Sequence, residues 1–110
     1  MKDPSDAVAR ALEYLEASTR LAVNARLIDS FASDVDDAVE LGAADGNIIK
    51  LTVTNNAVAV VEDALSLCSN HGLTRANPLE RHYRDVLCGR VHTPQDDATR
   101  VHAGRLALGI

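Results

Sequence analysis

Aromatic side chains are almost missing. There is no tryptophan, and Tyr14, Phe31 and Tyr83 are the only Tyr or Phe residues. Ligand pockets are commonly walled by such rings. The alanine, valine and leucine that dominate the apolar content suit close helix–helix packing better. Cysteine is scarce as well: Cys68 and Cys88 form no disulfide framework, and reduced thiols in a cytoplasmic setting are expected. The opening MKDPSDAVAR lacks the uninterrupted apolar run of a secretion signal. No segment approaches the roughly 20 apolar residues of a membrane span, so a membrane partner is not expected. Positive charge is in deficit. The net charge of −5 repels phosphate backbones and argues against nucleic-acid binding. The one basic cluster, Arg75, Arg81, Arg84 and Arg90, reads as helix-face ion pairing with Glu80 and Asp85.

What is present fits a single domain over residues 1–110, long enough to bury a core without metal or disulfide staples. The three prolines organise it. Each follows a residue able to cap a helix, at Asp3-Pro4, Asn77-Pro78 and Thr93-Pro94. Proline is tolerated at the first helical position, and Asp, Asn or Thr before it can bond the exposed amides of the first turn. An acid two residues beyond each proline (Asp6, Glu80, Asp96) suits the positive end of the helix dipole.

The first helix is expected over about 4–35. Tyr14, Leu21, Ile28 and Val35 recur at heptad spacing. Ala11, Ser18, Ala25, Ala32 and Val39 fill the alternate positions of a stripe that should pack along another helix. Leu12, Leu15 and Leu27 widen the apolar surface, so more than one neighbour is expected. The stretch DVDDAVELGAADGN reads as a loop, with room for an extra helical turn near Val35–Leu41. From Ile48 to Cys68 two readings stand. IIKLTVT alternates, Asn55-Asn56 could turn and AVAVVED could return, as a β-hairpin would. A helix would instead place Ile48, Leu51, Val58, Val61, Leu65 and Cys68 on a broad face. Gly72 suits a helix stop. Helices then follow over about 78–91, with Leu79, Tyr83, Val86 and Leu87 inward, and over about 94–108, with Ala98, Val101, Leu106 and Leu108 inward.

Few residues suggest chemistry by themselves. Cys88 and His92 are four apart, but with His102 they make a thin zinc set and lack the orienting third group of a nucleophile pair. No metal site is expected. Asp96-Asp97 suits a helix start better than paired acid–base carboxylates. Arg84-Asp85 is expected to tie its helix to neighbouring elements. There is no Gly-rich phosphate loop and no nucleophile elbow. His92, beside a helix start, is the one side chain placed to act as a hydrogen-bond donor or acid–base group.

Lys50-Leu51, the turn SNHGLTRAN and the run Pro78-Leu79-Glu80-Arg81-His82-Tyr83-Arg84-Asp85 resemble the C-terminal helical domain of the acyl-CoA dehydrogenase superfamily. GRVHTPQDDATRVHAGRLALG is closer to its flavin-dependent monooxygenase branch. The resemblance implies an all-α, antiparallel up-down bundle with helices over about 4–35, 47–71, 78–91 and 94–108, and it favours the helical reading of 48–68. It also implies FAD or FMN, held only together with missing domains or partner chains. Partners would be further copies of this chain or a chain carrying those domains. Asn70, Gly72 and His92 would lie nearest the cofactor, with His92 the tentative catalytic group. Two departures weigh on this. The family's Gln-x-x-Gly-Gly turn is here Ser66-Leu67-Cys68-Ser69-Asn70, with Gly72 the surviving glycine. The dehydrogenases' catalytic Glu would fall in Val91-His92-Thr93-Pro94, where no carboxylate stands. The alternative is therefore a non-catalytic helical oligomerisation or interaction module derived from that family. In either case the chain alone is expected to be inactive.

Overall fold

The computed structural model describes residues 4–110; Asp3, expected to cap the first helix, lies outside them. Four α-helices follow one another: α1 (Pro4–Asp36), α2 (Asp45–Cys68), α3 (Leu79–Val91) and α4 (Asp96–Leu108), with a short 3-10 turn, Ser69–Leu73, between α2 and α3. No strand occurs among the described residues. The hairpin reading of 48–68 fails because Asn55 and Asn56 do not turn the chain. Both sit mid-helix and spend their carboxamides on bonds within and across helices.

α2 is the helix that all the others touch. α1 runs antiparallel to it, as the cross-helix bonds show. Arg10 donates to Leu67 O at 2.8 Å, Arg20 to Asp63 at 3.1 Å and Asn24 to Val53 O at 3.0 Å, while the Phe31 ring lies over Gly46. α3 is antiparallel to α2 as well, from Tyr83–Glu62 at one end to Gly89 against Thr54 at the other. α4 starts on α2, where Asn55 donates to Asp96 at 3.0 Å, and then leaves it. The molecule is long, 58 × 28 × 23 Å, because α1 alone spans roughly 50 Å at about 1.5 Å per residue.

The packing corrects several expectations. Tyr14, Leu21, Ile28 and Val35, read as the seam of α1, are all exposed, Tyr14 at 68%. α1 meets α2 through Ala17, Arg20, Asn24, Leu27 and Phe31, about a quarter-turn away at roughly 100° per residue. Val8, Leu12, Leu15 and Val23 are exposed on the other side of that face. More than one neighbour was expected for α1, but α2 is the element it packs along, and α2 covers only the polar-studded strip between these two exposed apolar sides. In α4 the inner positions are Asp96, Thr99 and Ala103, not Ala98, Val101, Leu106 and Leu108, which are exposed because α4 diverges from α2. Ile48 and Cys68 are exposed too, while Val58, expected on the inner face, is 1% exposed. In α3 the expectation holds: Leu79, Tyr83, Val86 and Leu87 are half-buried, with Glu80 and Gly89 beside them.

Helix ends follow the same mixture. α3 begins at Leu79 and not at Pro78, which flanks it without a side-chain cap, while Asn77 Oδ1 accepts from the Leu79 N–H at 3.0 Å across the proline. α4 begins at Asp96 and not at Pro94, with Gln95 flanking it and no side-chain cap. α2 ends at Cys68 and not at His71. Ser69 takes a left-handed φ of 52° there and the chain tightens into the 3-10 turn.

One close approach fixes the α2–α3 spacing. A Cβ on Gly89 would collide with the Thr54 methyl group. Ala in place of Gly inside a helix ordinarily gains about 1 kcal/mol, whereas overpacking costs about 1–3 kcal/mol. Gly89→Ala should therefore lower the urea midpoint, with a net loss of about 1 kcal/mol. In a Thr54→Ser background, which removes that methyl, the same change should be neutral or stabilising. Equal losses in both backgrounds would show that the Thr54 contact does not set the spacing.

Candidate functional site

The chain between α3 and α4 carries the side chain singled out for chemistry. His92 follows α3 in extended backbone (φ −64°, ψ 135°) and its N–H closes the helix on Cys88 O at 2.9 Å. Its carbonyl accepts from Lys50 Nζ at 2.7 Å. The backbone of His92 is thus committed, and its side chain is exposed. Lys50 also donates to Gly89 O at 3.1 Å and Pro94 O at 2.8 Å. In the sequence Lys50 is marked only by the Lys50-Leu51 pair of the family resemblance. The signal that could have found it is a lone cation in an otherwise apolar stretch of helix, which needs a partner when partly buried.

Beside this turn lies an open cleft of about 380 Å³, lined by Asn55, Arg90, Val91, Gln95, Asp96, Asp97 and Arg100. Its charge is mixed. Asp96 is buried and held by Asn55 at 3.0 Å, while Asp97 is solvent-facing and pairs with Arg100 at 3.7 Å. The two aspartates do not form a carboxylate pair. Nor do Cys88 and His92 form one with each other: Cys88 Sγ lies 3.8 Å from Arg84 O on its own helix. Among the described residues no group of three His, Cys, Asp or Glu could hold a metal ion.

Asn70 and Gly72 lie elsewhere. Both belong to the 3-10 turn after Cys68, and α2 rises roughly 27 Å from Lys50 to Cys68 at about 1.5 Å per residue. The structure therefore does not bring His92 together with Asn70 and Gly72 within one chain. Asn70 is exposed. Gly72 is buried, and a Cβ there would stand 3.2 Å from both Cys68 Cβ and Leu65 Cδ2. Its bare α-carbon lets the 3-10 turn settle onto α2. The Arg75–Arg90 cluster resolves as expected in part: Arg84 pairs with Glu80, one turn back on α3, at 3.2 Å. Arg84 thus ties within α3 and not to a neighbouring element.

Residues 5–104 match the family model described as acyl-CoA dehydrogenase, C-terminal domain. The chain is 41% identical over 87 residues to the putative acyl-CoA dehydrogenase YdbM of Bacillus subtilis (strain 168), covering 79% of this chain and 22% of that protein. It is 27% identical over 99 residues to the cyclohex-1-ene-1-carbonyl-CoA dehydrogenase of Geobacter metallireducens, covering 88% and 26%. It is 35% identical over 112 aligned positions to the L-evernosamine nitrososynthase of a Micromonospora strain, covering 94% and 26%. The chain thus spans about a quarter of the length of these relatives. No solved structure matches it. No described helix is long and apolar enough to cross a membrane.

One titration reports the α2–α3 contact directly. The Tyr83 hydroxyl donates to Glu62 at 3.1 Å. That bond, and the charge of Glu62 behind it, raise the Tyr83 pKa above its ordinary value of 10.0. A raised pKa means the folded state favours the protonated phenol. The stabilisation is complete below the unfolded pKa of about 10 and is lost as pH rises through the folded value. In a Tyr14→Phe background, ultraviolet absorbance should show Tyr83 ionising later than a free tyrosine, and Glu62→Gln should bring the transition down. No change with Glu62→Gln would mean the bond is absent in solution.

Proposed function

Because the chain belongs to the acyl-CoA dehydrogenase family, whose C-terminal domain it matches over nearly its whole length, we propose that it is the terminal bundle, or a split piece, of a flavin-dependent oxidoreductase. It contributes oligomer contacts and part of a flavin site, and has no turnover alone. The observation that carries this reading is how little of the chain covers itself. Ala44 and Val58 are the only buried hydrophobic residues among the described ones, while Val8, Leu12, Leu15, Leu21 and Ile28 are exposed along α1. Exposed apolar surface of this extent marks a protein–protein interface. Further copies, or a chain carrying the remaining domains, are the partners that would cover it. A reducing, cytoplasmic setting suits Cys68 and Cys88, both free thiols.

Flavin, as FAD or FMN, would supply two-electron redox chemistry when bound. Asn70 and His92 fit a role beside it: both side chains are exposed and form no hydrogen bond among the described residues. Gly72 offers only its backbone, since its α-carbon is packed inward. With His92 and the 3-10 turn at opposite ends of α2, these groups fit separate edges of an extended cofactor, or sites shared between copies, and not one enclosed ring. His92 would hold a hydrogen bond at the isoalloxazine. The absence of a carboxylate over 91–94 weighs against α,β-dehydrogenation by this chain and favours the monooxygenase-like branch. The Bacillus and Geobacter relatives are dehydrogenases by name and the Micromonospora relative is a nitrososynthase, so the names alone do not decide between the two chemistries.

Co-purification tests this. Expressed with a chain supplying the missing N-terminal helical and β domains, the protein should form a yellow complex, and His92→Ala should retain severalfold less flavin. Colourless complexes with every such partner would sink the flavin role. A second reading, a non-catalytic interaction module, is favoured by the same exposed stripe. The interaction-module reading, and the homo-oligomer form of the first, predict self-association that Leu21→Asp with Ile28→Asp abolishes, measured by light scattering. A wild-type chain that stays monomeric at high concentration would count against homo-oligomer contacts.

A further inference from the structure

We infer that Lys50 is the positioning residue of the His92 turn. Its ammonium meets three carbonyls at once, Gly89 O at 3.1 Å, His92 O at 2.7 Å and Pro94 O at 2.8 Å. An ammonium has three donors and no acceptor, so each donor is matched to one oxygen. The three oxygens come from the last turn of α3, from the residue that ends it, and from the residue two before α4. A single side chain of the central helix therefore pins the whole passage from one helix to the next. The site suits a cation: the end of α3 presents carbonyls without helical partners, and the helix dipole places negative charge there. No other side chain among the described residues bonds the backbone of residues 92–95. Asn55 adds a second tie one turn along α2, by holding Asp96 at the start of α4.

The geometry separates Lys50 from a general stabiliser. Arg20–Asp63 and Asn24–Asn56 bind α1 to α2 and do not touch this turn. Lys50 bonds only backbone, and only here. Its consequence is the direction of the His92 side chain, because fixing the His92 carbonyl fixes the peptide plane from which that side chain departs. Arginine is a poor substitute, since its planar fork does not reproduce three converging donors. Methionine keeps the length and loses every donor.

The test compares Lys50→Met, Lys50→Arg and Arg20→Gln in the 110-residue chain. The His92 and Thr99 amides close the two helices on either side of the turn, on Cys88 O and Gln95 O. In Lys50→Met their hydrogen exchange should quicken about tenfold beyond that of α1 amides, equivalent to about 1.4 kcal/mol. The His92 ring signals, assigned by their loss in His92→Gln, should shift. Lys50→Arg should recover part of both effects, and Arg20→Gln should loosen α1 while leaving the His92 signals in place. A helical Lys50→Met chain with wild-type exchange and wild-type His92 signals would overturn the inference. So would loss of the helical signal in both Lys50 variants, which would assign Lys50 to the stability of the whole bundle. The functional weight of this turn rests on the proposed flavin role of His92. That role fails separately, if partner complexes hold no flavin while the Lys50 effect persists.

Discussion

The packing of every other helix against α2 is the constraint on which the rest of this structure depends. α1, α3, α4 and the 3-10 turn each pack on it, and among the described residues the one large side chain that is fully buried, Val58, belongs to it. A helix surrounded in this way has to be apolar nearly all round. That is why charge is so sparse from Ile48 to Val61, where Lys50 stands alone. It also explains the mixed character of the other helices. Each needs only one strip against α2, and α1 and α4 leave most of their apolar residues outside it.

An all-round apolar helix has a weakness: many rotations and registers of its neighbours bury similar area. Directional groups remove that freedom. Asn24, buried on α1, donates to Val53 O and accepts from Asn56. An offset of one residue would leave these amides unpaired, and an unsatisfied buried polar group costs about 1–3 kcal/mol. Among the described residues no buried side-chain polar atom lacks a partner. Asn55 plays the same part for α4 and Lys50 for the α3–α4 passage. The polar groups inside the interface therefore select one arrangement from several that hydrophobic burial alone would tolerate.

This division explains what could be read from the sequence. Helix number and order were legible because proline, small polar residues and a glycine-bearing turn mark boundaries locally, and Asn77 accepts from the first amide of α3. The inner face of α3 was legible as well, since Leu79, Tyr83, Val86 and Leu87 form one clean stripe. Which face of α1 meets α2 was not. Its strongest heptad, Tyr14 to Val35, is exposed, and the strip that packs contains Arg20 and Asn24. Periodicity finds apolar faces but cannot say whether the partner is this chain or another. The candidate site was legible in part. The place of His92, in the passage between two helices, follows from Thr93-Pro94 beside it, whereas the role of Lys50 depends on three backbone oxygens distant in sequence, which no local pattern announces. The hairpin reading of 48–68 failed because β-branched residues fit a helix when tertiary contacts outweigh their modest propensity cost.

The chain spans about a quarter of its relatives and leaves leucine, isoleucine and valine exposed along its longest helix, the surface on which the proposed oligomer contacts rest. Its cleft near His92 is open and of mixed charge, with Asp97 paired to Arg100 and Asp96 held by the Asn55 amide, so one copy supplies neither exclusion of water nor a converging set of groups. Electrostatic interactions gain strength when water is excluded, and here that exclusion has to come from whatever covers the exposed faces. What this chain can fix by itself is geometry. Lys50 holds the turn, Asn55 holds the start of α4, and the close fit of Gly89 on Thr54 sets the distance of α3. Rigid placement of His92 is thus a property of this fold, whereas reactivity at His92 depends on the surface brought against it.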